Sequence, residues 1–96
     1  AEERSDRVKQ IAYLKQLAYI YDQAKQHQMA IKTKQQLIEL SVTEQDLMQV
    51  SEVHLSIGAN YEALGLLEPA AQNYQEAYTL AYQGAMFNRA AEALQK

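Results

Sequence analysis

The stretch SEVHLSIGANYEALGLLEPAAQNYQEA, residues 51–77, decides the fold. It reads as two helices folded back on each other. Gly58 and Ala70 carry almost no side chain, so the two helix backbones can approach closely there. Tyr61 and Tyr74 supply bulk beside that contact, and an aromatic ring buries a large area. Gly65 is suited to end the first helix, because a left-handed residue satisfies the last carbonyls at no steric cost. Pro69 then falls in the first turn of the next helix, where its missing N–H removes no hydrogen bond. The prediction is a tight antiparallel hairpin that turns at about residues 65–68.

Working outward, apolar residues at three- and four-residue steps predict five helices in all. The first covers about 6–25, with Ser5 as N-cap and Ile11, Leu14, Leu17, Ala18 and Tyr21 on one face. The second covers about 28–40. Ser41 and Val42 read as a short break, after which Thr43 caps a third helix in an approximate capping box with Asp46. That helix runs to Leu64, and the fourth runs from Pro69 to about Tyr82. Gly84 reads as a further break before a fifth helix over about 85–94, with Met86, Phe87, Ala90 and Leu94 on its apolar side.

The chain also repeats itself. A shift of forty residues lays Leu17 on Ile57, Ala18 on Gly58, Tyr21 on Tyr61, Ala30 on Ala70 and Leu40 on Leu80. A clear unit at about 51–84 is thus preceded by a degenerate one at about 11–44. In the degenerate unit Lys25 stands in the place of Gly65 and Lys34 in the place of Tyr74.

Ninety-six residues make one domain, residues 1–96. With 48% hydrophobic residues, one Pro and three Gly, the composition is that of a packed helical chain. No run approaches the ~18 consecutive apolar residues of a membrane span, and no signal peptide is read at the start. The absence of cysteine removes disulfides and thiolate chemistry. A cytoplasmic location is the expectation. The net charge of −3 does not call for a nucleic-acid or membrane partner. Its distribution is two-ended: residues 1–36 hold seven Lys or Arg against four acids, and residues 37–96 hold two against eight.

Counted from Ser51 as the first position, the clear unit has His54 at 4, Ile57 at 7, Gly58 at 8, Tyr61 at 11, Gly65 at 15, Ala70 at 20, Tyr74 at 24 and Ala77 at 27. This pattern resembles the tetratricopeptide repeat, with His54 as the loose match. The resemblance implies an all-α fold: antiparallel helical hairpins stacked as a short right-handed solenoid of about five helices. Residues 85–96 would form a cap or the start of a further repeat, and the chain is expected to be part of a longer protein. The implied function is non-catalytic protein–protein or protein–peptide interaction. In this family the partner lies in a groove lined by the first helix of each pair. Carried onto this sequence, the groove residues are Glu52, Leu55, Ala59, Glu62 and Ala63, and in the degenerate unit Lys15, Tyr19, Asp22 and Gln23. Members that clamp a chaperone tail use Lys and Asn in two of these slots. Here Leu55 and Ala59 occupy them, so that clamp is missing.

Residues able to carry chemistry are few, and no catalytic, cofactor-binding or metal-binding residue is assigned. His54 has Val50, Val53, Ile57 and Gly58 one turn away, none of which can ligate a metal, and so reads as a packed histidine. His27 reads as a turn residue. Glu44 and Asp46 sit at a helix N-terminus, where acids offset the helix dipole. Ser41, Ser51 and Ser56 read as cap or surface residues. Lys25, Lys32, Lys34 and His27 make at most a small basic patch without interleaved aromatics. Tyr21, Tyr61 and Tyr74 fall in core slots, whereas Tyr13, Tyr19, Tyr78 and Tyr82 are free to line a surface. A peptide-sensing domain attached to an output domain is the alternative function, and a helical-bundle enzyme comes last. The stripe Met86, Phe87, Ala90 and Leu94 suggests self-association through the terminal helix.

Overall fold

The computed structural model describes the backbone of residues 2–43 and 46–95 and the side chains of 5–43 and 46–85. Among the described residues the chain is all α, with four helices: α1 (Glu2–Gln23), α2 (His27–Thr43), α3 (Leu47–Ala63) and α4 (Leu67–Gln95). Each packs against its neighbours in sequence, α1 on α2, α2 on α3 and α3 on α4. The core lies where α1, α2 and α3 meet. Leu14, Ile31, Leu37, Val53 and Ile57 form one buried cluster, with Ile11, Ile38, Leu40 and Tyr61 packed around it.

The turn between α3 and α4 forms as the sequence predicts. Gly65 adopts φ +77°. Its N–H donates to the Glu62 carbonyl at 3.0 Å and that of Leu66 to the Tyr61 carbonyl at 2.9 Å, the paired bonds of a Schellman motif. The turn between α1 and α2 repeats this forty residues earlier. Lys25 adopts φ +59°, its N–H donates to Asp22 at 3.0 Å, and that of Gln26 donates to Tyr21 at 2.9 Å. A lysine thus holds the conformation that glycine holds in the second hairpin, and the departure from glycine changes nothing in the turn.

Several boundaries differ from the sequence reading, each for a local reason. Ser5 lies inside α1 and does not cap it, since α1 begins at Glu2. Ser41 and Val42 do not break the chain. They belong to α2, and Ser41 is buried with its carbonyl accepting from the Asp46 N–H at 3.1 Å. Thr43 closes α2, its hydroxyl donating back to the Glu39 carbonyl, so it cannot cap α3. Asp46 is the cap, and its Oδ1 accepts from the Gln49 N–H at 3.0 Å. Glu44 lies outside the described residues.

The largest correction concerns Gly84. α4 runs through it without interruption for 29 residues, so the fourth and fifth predicted helices are one. A glycine inside a helix costs about 1 kcal/mol relative to alanine but does not by itself end it. Here its lack of a side chain is used. A Cβ at Gly84 would come within 3.1 Å of the Met48 sulfur and 3.7 Å of the Leu47 side chain, at the start of α3. Met86, Phe87, Ala90 and Leu94 continue α4, and their side chains lie outside the described residues.

α3 and α4 are joined along their length by three kinds of contact. Gly58 is buried against the ring of Tyr74. The Ser51 hydroxyl, which the sequence reads as a cap or surface group, is buried and donates to the Ala77 carbonyl at 2.7 Å. His54 is half-buried, 2.9 Å from Asn73 Oδ1. Because Asn73 Nδ2 already donates to the Pro69 carbonyl, its oxygen accepts, and His54 Nδ1 carries the proton.

Candidate binding cleft

α1 and α3 stand side by side with α2 beneath them, and a cleft of about 340 Å³ opens between the two. Lys15, Ala18, Tyr19 and Asp22 of α1 form one wall. Gln49, Glu52, Val53 and Ser56 of α3 form the other, and Lys34 and Leu37 of α2 lie at the bottom. Ala18, Leu37 and Val53 are buried and make an apolar floor, while Tyr19 is 64% exposed at the rim. Lys15 and Glu52 place opposite charges on opposite walls. The cleft can therefore hold an extended or helical segment by apolar contact, with polar groups at its edges to fix direction.

One end of the cleft is closed by a polar cluster. Lys34 is 4% exposed, and its ammonium donates to both carboxylate oxygens of Asp22, at 3.1 and 2.9 Å, and to Asn60 Oδ1 at 2.5 Å. Asn60 is also buried. Its Nδ2 donates to Asp22 Oδ1 at 2.9 Å and lies 3.0 Å from His27 Nδ1. An ammonium can only donate, so the amide oxygen of Asn60 faces Lys34 and its NH2 faces His27. His27 Nδ1 must then accept, which places the ring proton on Nε2. Burying a cation is costly unless it is paired and hydrogen-bonded, and here a carboxylate and an amide meet that need. The cluster ties α1, α2 and α3 together.

This cluster revises two readings. Lys34 does not belong to an exposed basic patch with Lys25 and Lys32, because its charge is buried against Asp22. His27 is the first residue of α2 and faces Asn60 of α3, so it bridges helices. No group of three or more His, Cys, Asp or Glu able to hold a metal occurs among the described residues. Among them too, no helix is long and apolar enough to cross a membrane.

Of the predicted groove residues, the structure brings Lys15, Tyr19, Asp22 and Glu52 into the cleft. Gln23 closes α1 as an exposed residue beyond it. Leu55, Ala59, Glu62 and Ala63 of α3 do not line the cleft. Leu55 is 40% exposed, and the Glu62 carboxylate accepts from the Tyr74 hydroxyl at 2.6 Å. The sequence reading missed Gln49, Ser56 and the buried cluster. A usable signal was present: Asp22 and Lys34 repeat the twelve-residue spacing of Glu62 and Tyr74. The chain matches no protein-family model, no curated protein and no solved structure at a significant level.

Proposed function

We propose that this chain is a non-catalytic scaffold of tetratricopeptide type, its hairpins stacked as a short right-handed solenoid, that binds a protein or peptide between α1 and α3. The observation that carries this reading is the cleft itself, with an apolar floor of Ala18, Leu37 and Val53 and walls from the first helix of each hairpin. Two further features support it. The hairpins turn through the same Schellman motif forty residues apart, as repeated units do. Each helix packs on its sequence neighbours, as in proteins whose repeats contact only adjacent repeats. The partner is a polypeptide; neither nucleic acid nor membrane is proposed.

Selection of peptides from a random library on the immobilised chain, followed by amide chemical-shift mapping of a selected peptide, tests the reading. The shifts should concentrate on Lys15, Tyr19, Glu52, Val53 and Ser56, and Tyr19→Ala should weaken binding at least tenfold. Tyr19 is exposed, so its truncation leaves the fold intact. Shifts confined to Leu55, Ala59 and Ala63, with none at Tyr19 or Val53, would move the site off the cleft to the positions that the family pattern indicates. A library that yields no binder would remove the scaffold reading.

A further inference from the structure

The contact that α2 makes with α3 is made once inside the chain, and its two halves reappear uncovered at the outer helices. In α2, Ile31 is buried and Ile38 is packed against the same cluster that holds Val53 and Ile57 of α3. Forty residues after Ile31 and Ile38, α4 carries Ala71 and Tyr78, both exposed, Tyr78 to 72%. Forty residues before Val53 and Asn60, α1 carries Tyr13 and Ile20, exposed to 62% and 59%, while Val53 and Asn60 are buried. Leu17, in the place of the buried Ile57, is only half-buried. Charge divides the same way. Over residues 2–43 there are seven Lys or Arg against five acids, whereas over residues 46–95 there is one against six.

We infer that a second copy of this chain docks head to tail, its α1 laid on α4 as α3 lies on α2. Tyr13 and Leu17 of one copy then cover Ala71 and Tyr78 of the next, and the basic first hairpin of one faces the acidic second hairpin of the other. Such a contact joins two different surfaces and leaves one of each free at the ends, so it propagates and does not stop at two. The oppositely charged halves attract across it, and salt screens that attraction.

Sedimentation of the wild-type chain over a wide concentration range should show a weight-average mass that keeps rising beyond two chains and falls back as salt is added. Tyr13→Glu and Tyr78→Glu each place a carboxylate in the apolar part of the contact. The two blocked faces carry the same charge and so do not pair with each other, and each variant alone should be monomeric. Mixed in equal amounts they should form a dimer and nothing larger, because one variant keeps a working α1 and the other a working α4. That recovery also shows that both variants are folded. A wild-type monomer at every concentration, a plateau at two chains, growth indifferent to salt, or a mixture that stays monomeric would each overturn the inference.

Discussion

Lys34 and Tyr74 stand forty residues apart in equivalent places, and each donates to the acid twelve residues before it, Lys34 to Asp22 at 2.9 Å and Tyr74 to Glu62 at 2.6 Å. The same tie across the hairpin is made once by an ammonium and once by a phenol. The reason for the difference lies in the facing helix. Tyr74 packs on Gly58, where a Cβ would stand 2.7 Å from the ring, whereas the position equivalent to Gly58 in the first hairpin is Ala18. A slim methylene stem passes a Cβ that a ring cannot.

It follows that Lys34→Tyr alone should overpack against Ala18 and destabilise the chain by about 1–3 kcal/mol. Adding Ala18→Gly should recover much of that loss, since residues in contact couple by about 0.5–3 kcal/mol. A double-mutant cycle by urea denaturation measures the coupling, and additive effects would show that the two hairpins are not equivalent at this point.

The converse holds in the second hairpin. Gly58→Leu should cost about 1–3 kcal/mol through the Tyr74 ring. In a Tyr74→Ala background the ring is gone, and Gly58→Ala should instead stabilise by about 0.5–1 kcal/mol, the ordinary gain of alanine over glycine in a helix. Thermal melts of the four proteins decide it.

The buried pair of Asp22 and Lys34 should respond unequally to the loss of either partner. Removing one member of a fully buried pair costs about 3–5 kcal/mol, but Asp22 is 34% exposed, and water reaching Lys34 through that side lowers the figure for Asp22→Ala to about 1–3 kcal/mol. Lys34→Met keeps the stem, removes the buried charge and should cost less than Asp22→Ala. Chemical denaturation of both variants gives the order, and the reverse order would mean that Asn60 and water satisfy the ammonium without Asp22.

Lys25 offers a stabilising change. A non-glycine residue in the left-handed region carries a penalty of about 1–2 kcal/mol, part of which glycine gives back through its freer unfolded chain. Lys25→Gly should therefore raise stability by up to about 1 kcal/mol, and Gly65→Ala should lower it by a similar amount, both read as shifts in melting temperature.

What the sequence made legible was the second hairpin and, through the forty-residue shift, the existence of the first. Gly65, Pro69 and the small residues Gly58 and Ala70 act locally, so their types announce their roles. Gly84 misled because the same residue type serves to end a helix and to admit a neighbour, and only Met48, thirty-six residues earlier, reveals which. Ser41 misled likewise, being polar yet buried inside α2. Four of the ten residues lining the candidate cleft were legible for the same reason in reverse. Lys15, Tyr19, Asp22 and Glu52 follow from repeat position, but Gln49 and Ser56 lie at α3 positions that the repeat pattern does not mark, and only the packing of α3 beside α1 and α2 brings them into the cleft.

The bond between Tyr74 and Glu62 also has a signature in pH. The hydroxyl donates to the carboxylate, and the nearby negative charge opposes ionisation, so both effects hold the Tyr74 phenol above the usual tyrosine range. A group whose pKa is raised on folding contributes its full stabilisation while both states remain protonated. That contribution is lost as pH rises from the unfolded value near 10 through the folded one. A spectrophotometric titration of the wild type should then show one tyrosine ionising later than in the Glu62→Gln variant, where the carboxylate charge is gone. The stability difference between the two proteins should be constant from neutral pH up to the ordinary tyrosine range and shrink above it. Identical phenol titrations for the two would mean that the tie from α4 to α3 does not persist in solution.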